Sequence, residues 1–210
     1  GSNYPYSTQP YRDNYRHSLW MVPGVKEARA LSSLLQKHSV FGCFTIVNVA
    51  GAGDEEVDSN DALSAVEKAI TDHPEDTYSI TLSCGRLTMG VSVKPWTACL
   101  MLAGSYNTAA SSYMQTIFRV QTPAVIDGKQ KEECFVFDFA PDRTLKVIAE
   151  TAKISSKAGK TSNNDREILS AFLNFCPIIG FEGSRMVTYD TPKMLEQLKK
   201  VYIERVVRNG

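Results

Sequence analysis

Apolar residues along this chain come in short runs, and amphipathic stretches separate them. Ser18 to Val22 (SLWMV) is a brief apolar run closed by Pro23-Gly24. Lys26 to Lys37 then places Ala28, Leu31, Leu34 and Leu35 at helical spacing. Phe41 to Ala50 (FGCFTIVNVA) is the next buried-strand candidate. Ser59, Asn60 or Asp61 can cap a helix over Ala62 to Thr71, with Ala62, Leu63, Val66, Ala69 and Ile70 on its inner side, and His73-Pro74 stops it. Tyr78 to Leu82, Ala98 to Leu102 and Cys134 to Phe139 read as three further strands, with a helix from about Ala109 ahead of the last. Strands that alternate with helices predict an α/β domain with a mostly parallel sheet.

The two ends differ from this middle. Residues 1–17, rich in Tyr, Pro, Asn and Arg, are expected to be an irregular lead-in, its tyrosines packed against the domain. Residues 18–153 form the α/β domain, closed by a helix that Pro141 opens and Thr144 to Lys153 continue. A polar, small-residue linker follows at 154–164, then a helical extension over 165–210. In that extension Ile168, Leu169, Phe172 and Leu173 share one face, and Thr191-Pro192 starts a second helix with Thr as its cap.

The chain has 210 residues and zero formal net charge, which neither demands nor excludes nucleic acid. From Asp142 onward there are twelve Lys and Arg against eight Asp and Glu, so the tail is the basic part. No apolar run is long enough to span a bilayer and no signal peptide is seen, so a soluble, cytoplasmic protein without a membrane partner is expected. The cysteines at 43, 84, 99, 134 and 176 form no Cys-x-x-Cys pair, and the histidines at 17, 38 and 73 have no ligand spacing, so no metal site is expected. Cys43, Cys99 and Cys134 lie in apolar runs and read as buried thiols, which fits a reducing compartment.

Two stretches mimic phosphate loops and lack their parts. Gly51-Ala52-Gly53 has no third glycine, and Asp54-Glu55-Glu56 follows where a pyrophosphate would sit. Ala158-Gly159-Lys160-Thr161 has Ile154 where the opening glycine of a P-loop belongs, and a helix rather than a strand before it.

The stretch from Ser79 to Pro123 carries the chemistry. A strand enters a turn of small and polar residues, Ser83 to Gly90. A second strand follows, and then a helix with Gln115 and Arg119 on one face. An open α/β sheet presents its site at the carboxyl ends of such strands. Thr88-Met89-Gly90-Val91-Ser92-Val93 resembles motif V of superfamily 2 helicases and translocases, and Gln115-Thr116-Ile117-Phe118-Arg119 resembles the start of their motif VI. The likeness covers about Ser18 to Glu150 and is nearest to helicase-like subunits of prokaryotic restriction systems. Ser92 stands at the usual motif V acid, Phe118 at the motif VI glycine and Thr122 at its second arginine.

The resemblance implies a three-layer RecA-like domain, the second of two motor domains. ATP and Mg²⁺ would be bound mainly by an upstream RecA-like domain of the same polypeptide, absent here, since this chain lacks a Walker A or Walker B box. Arg119 would supply positive charge at the γ-phosphate, and Gln115 would hold the attacking water or the phosphate. Thr88 and Gly90 would line the cleft. Arg86 and Thr88 would meet the nucleic-acid backbone, with DNA the expected partner. The fragment alone is expected to be inactive as an ATPase. The alternative, suggested by the altered second half of motif VI, is a non-catalytic interaction or scaffold domain that kept the sheet and lost the site.

Overall fold

A computed structural model describes residues 5–51, 59–84, 93–102, 116–117, 119–120, 122–126, 128–140, 143, 146, 163–175, 177–182 and 185–197. The backbone divides into two compact units. One comprises Ser2–Ser105 with Ser112–Phe139, the other Tyr106–Ser111 with Ala140–Gly210. The second unit thus begins ahead of the linker expected at 154–164, which lies outside the described residues up to residue 162.

The first unit is an α/β domain. Its described elements begin with α1 (Gln9–Asn14), β1 (His17–Val22), α2 (Val25–Lys37), β2 (Thr45–Asn48), α3 (Ser59–Ile70), β3 (Ser79–Cys84) and β4 (Ala98–Met101). A two-stranded ribbon of β5 (Val125–Ile126) and β6 (Lys129–Gln130) precedes β7 (Phe135–Asp138). Five strands form one sheet in the order β2-β3-β1-β4-β7, every pair parallel. This is the expected parallel α/β architecture, consistent with a RecA-like fold.

Alternation along the strands explains its layers. Trp20, Val22, Ile80, Leu82, Ala98 and Leu100 share one buried cluster with Ala28 and Leu35 of α2 and with Phe44. Residues one position out of phase, such as Leu19, Met21, Thr81 and Cys99, are also buried and so face the other way. The buried side of α3, Ala62, Val66, Ala69 and Ile70, lies outside the α2 cluster and packs on the β2–β3 part of the sheet. A sheet covered on both faces accounts for six consecutive buried residues in β1.

Three local expectations change. The lead-in is not wholly irregular: α1 forms ahead of β1, while Tyr6 and Tyr15 pack into the core as expected of its tyrosines. Tyr6 donates to Ser18 Oγ at 2.8 Å, and Trp20 Nε1 donates to the same oxygen at 2.9 Å, so the phenol reaches a polar partner inside an aromatic cluster. Burial raises the Tyr6 pKa well above its usual value. Second, the run Phe41 to Ala50 is a strand only over β2. Phe41–Cys43 is a 3-10 turn, which leaves Cys43 exposed rather than buried, and Cys134 is half-buried. Cys99 alone of the three is buried as expected. Third, α3 starts at Ser59, so Asp61 falls in its first turn rather than at its cap. The helix ends at Ile70, and Thr71 turns left-handed with φ 68°.

In the second unit, α4 (Asn163–Phe175) and helical residues 191–197 match the expected helices. Between them lies an unexpected hairpin of β8 (Ile179–Glu182) and β9 (Arg185–Thr188), paired antiparallel. Leu169 and Leu173 of α4 bury against Met194 and Leu195. The cap of the last helix is Asp190, not Thr191: the Lys193 amide donates to Asp190 Oδ1 at 2.9 Å. A carboxylate that reaches the third helical amide outcompetes the hydroxyl one residue later.

Candidate functional site

The sheet order reverses at β1, which lies between β3 and β4. The carboxyl end of β1 is therefore the switch point at which open α/β sheets take up ligands. There the chain passes from Val22 through Pro23-Gly24 directly into α2. The helix N-terminus is an anion site by its dipole and free amides. In this chain a carboxylate stands at that end. Glu27 sits in the first turn, and a Cβ on Gly24 would come within 2.6 Å of Glu27 Oε2. Cys84, at the end of β3, has its thiol pKa raised by burial and secondarily by the Glu27 charge. Beside it, the Ala50 amide donates to Asn48 Oδ1 at 3.0 Å, and Gly51 adopts φ 98° to turn the chain after β2. A phosphate does not fit this arrangement, because it would meet Glu27 at close range.

Arg119 lies elsewhere. Thr116, Ile117, Arg119 and Val120 are helical, and Thr116, Ile117 and Val120 are buried. Arg119 itself is half-buried, and desolvation draws its pKa down from the usual value. Its turn is tied to the entrance of β4. Lys131 Nζ donates to the Val120 carbonyl at 2.8 Å, to Trp96 O at 2.8 Å and to Lys94 O at 3.0 Å. Thr122 Oγ1 donates to the Arg119 carbonyl at 3.3 Å. The backbone at Arg119 is thus moored at the amino edge of the sheet. At about 3.3 Å per residue, the four residues of β4 put roughly 10–13 Å between this edge and the carboxyl ends.

Gln115 and the motif V residues Arg86, Thr88 and Gly90 lie outside the described residues, as do Ser92 and Phe118. Of the expected site residues, then, the structure places Arg119 alone. It also gives Thr122, at the position of the second motif VI arginine, a part in closing the helical turn.

Sequence reasoning missed Lys131 and the ribbon that carries it. A signal was present: Asp127-Gly128 between Val125-Ile126 and Lys129-Gln130 is a hairpin-turn dipeptide, and Gly128 has φ 69°. An open groove of about 620 Å³ lies on this same edge, lined by Pro74, Lys94, Pro95, Pro123 and Val125 among others. Also on that edge, the exposed His73 has its Nδ1 3.2 Å from Glu75 Oε1, with Asp76 near enough to share an ion; exposed acidic groups of this kind are common without one.

The fold and these two edges define an α/β domain with a carboxylate at its own switch point and an arginine turn moored on the opposite edge. By sequence the chain is similar to a Mycoplasma pneumoniae protein described as "Putative type II restriction enzyme and methyltransferase RM.MpnORF110P C-terminus", 30% identical over 201 residues. The match covers 92% of this chain and 26% of that protein, so the chain spans about a quarter of the length of the curated relative it matches. No family model matches. Among the described residues no helix is long and apolar enough to cross a membrane.

Proposed function

We propose that this chain is the second motor domain of an ATP-dependent DNA translocase or helicase in a restriction-type protein. In this reading an upstream RecA-like domain of the same polypeptide holds ATP and Mg²⁺, and this domain closes over them to present Arg119. The observation that carries the proposal is the separation of the two edges. Glu27 makes the chain's own switch point hostile to phosphate, while Arg119 sits on the amino edge, out of reach of that crevice. An arginine so placed can serve a nucleotide bound by another domain better than one bound by its own. The motif V and VI likeness supports the motor part of this reading, and the similarity to a relative described as a restriction enzyme and methyltransferase supports only its restriction-type part.

The chemistry follows from the guanidinium. Charge accumulates on the equatorial oxygens of the transferring phosphoryl group, and a planar, permanently charged fork stabilises it without giving up a proton. Partial burial strengthens that interaction, because less water screens it. Gln115, one helical turn earlier in sequence, is the proposed partner that orients water or phosphate. The turn at Thr88 and Gly90, with Arg86, is the proposed contact to the DNA backbone.

The test is Arg119→Ala in the full-length protein. ATP turnover is expected to fall by roughly 10³ to 10⁵, with nucleotide affinity changed far less, since the charge is greatest in the transition state. Arg119→Lys is expected to rescue poorly, because an ammonium does not reproduce the fork. Parental turnover in a folded Arg119→Ala protein would sink the proposal.

A further inference from the structure

We propose that Lys131 is a positioning residue for Arg119, acting through the end of the helical turn on which that arginine sits. The inference rests on the motor reading above. An ammonium has three protons, and all three are used: one each on the carbonyls of Lys94, Trp96 and Val120, at 3.0, 2.8 and 2.8 Å. The acceptors come from two separate segments. Lys94 and Trp96 belong to the turn that enters β4, where Trp96 is fully buried and its amide donates to Val93 O at 3.1 Å. Val120 is the residue after Arg119. A single side chain therefore joins the arginine turn to a buried segment at the entrance of β4.

Stability alone is a poor reason for a lysine here. The last carbonyls of a helical turn lack intrahelical partners, and water or a small cap serves them cheaply. Lys131 instead loses much of its hydration, and desolvation lowers its pKa. Holding a cation there costs desolvation that bonds to three carbonyls offset, and what a smaller cap would not supply is the tie between two segments. The positive charge sits at the negative end of the turn. With Thr122 on the Arg119 carbonyl, two successive carbonyls are held by side chains, which fixes where the turn ends. The origin of the Arg119 side chain is then set relative to β4 rather than left to a loop.

The experiment measures kcat and KM for ATP in the full-length protein with Lys131→Met, Lys131→Arg, Arg119→Ala, and the double variant that combines Lys131→Met with Arg119→Ala. Misplacing a catalytic group by about 1 Å costs on the order of 10²-fold, so Lys131→Met is expected to lower kcat by roughly that factor with KM within about threefold. In the Arg119→Ala background the same change is expected to cost nothing further, because the group it positions is gone. Lys131→Arg keeps the charge but cannot aim three N–H bonds at converging carbonyls, so it is expected to melt near the parental temperature and still lose turnover.

Parental kcat in folded Lys131→Met, or in folded Lys131→Arg should the first variant not fold, overturns the proposal. So does an equal loss with and without Arg119, or a chain that folds with neither replacement, which would make Lys131 a stability residue. Unchanged turnover in Arg119→Ala would instead strike the motor reading itself.

Discussion

His17 opens β1 and carries a pH dependence that can be worked out from its surroundings. Its side chain is 2% exposed. Nε2 lies 2.7 Å from the Pro74 carbonyl, which only accepts, so Nε2 bears the hydrogen. Nδ1, 2.8 Å from Ser79 Oγ, is then the acceptor of the hydroxyl proton. Charging the ring would bury a cation, and that is the cost, since the Ser79 hydroxyl can rotate to accept from a protonated Nδ1. Burial accordingly lowers the His17 pKa from 6.5, despite an opposing contribution from the Pro74 carbonyl.

The sign follows from that depression. Well above pH 6.5 the ring is neutral in both folded and unfolded chains, and its full contribution to stability is present. Below 6.5 the unfolded chain takes up a proton that the folded one refuses, and stability falls until the folded pKa is reached. Shifted carboxylates such as Asp13 and Glu75 start from 3.8 and 4.5 and act at lower pH.

The perturbation is His17→Gln, whose amide can still donate to Pro74 but has no charged form. It is expected to cost about 1 kcal/mol at pH 7.5 through the lost Ser79 bond, and to remove most of the fall between pH 7.5 and 5.5. Urea unfolding followed by tryptophan fluorescence at several pH values measures both. A wild-type curve that is flat over this range, or a glutamine variant with the wild-type slope, would refute the reasoning.

Two further outcomes are expected. Under alkylation of the native chain Cys43, exposed on its 3-10 turn, should modify first, and Cys99, whose thiol pKa burial raises far above the usual value, should react only on unfolding; peptide mapping that finds equal rates would contradict the burial pattern. Asp190→Ala should destabilise the second unit by about 1 kcal/mol while Asp190→Asn, which keeps the acceptor, should cost less, so equal losses in thermal melting would remove Asp190 as the cap.

Much of the fold was legible because burial on two faces leaves a coarse signal. SLWMV, ITLSC and ACLM are too short and too apolar for surface helices, and the helical spacing of Ala28, Leu31 and Leu35 survives in α2. The errors sit where one residue type serves two structures. Phe41 and Phe44 are as apolar as any strand residues, yet the first belongs to a turn that seats its ring against Tyr6 and Trp20. The packing of Tyr6 and Tyr15 was expected, but the short helix Gln9–Asn14 between them was not, because it stands in a polar stretch with no periodicity. The ribbon before β7 and the hairpin of β8 and β9 were announced by Asp127-Gly128 and Gly183-Ser184, but their strands are too short or too polar to stand out. Arg119 was legible by motif likeness. Its mooring was not, because Lys131 meets Lys94 and Trp96 only through the tertiary fold, 37 and 35 residues away.

The position of β1 has a consequence for how the chain comes into being. Of the described strands of the sheet it is made first and ends in the middle, paired on one side with Ser79–Cys84 and on the other with Ala98–Met101. During synthesis its fully buried stretch must wait, with both hydrogen-bonding edges open, until about sixty more residues have been made for one neighbour and about eighty for the other. A nascent chain arrested in that interval exposes a sticky, unpaired strand, the kind of segment that chaperones bind and that seeds aggregation. A fragment meant to fold alone must therefore extend past Met101, and one cut before it is expected to be insoluble however well α2 and α3 form.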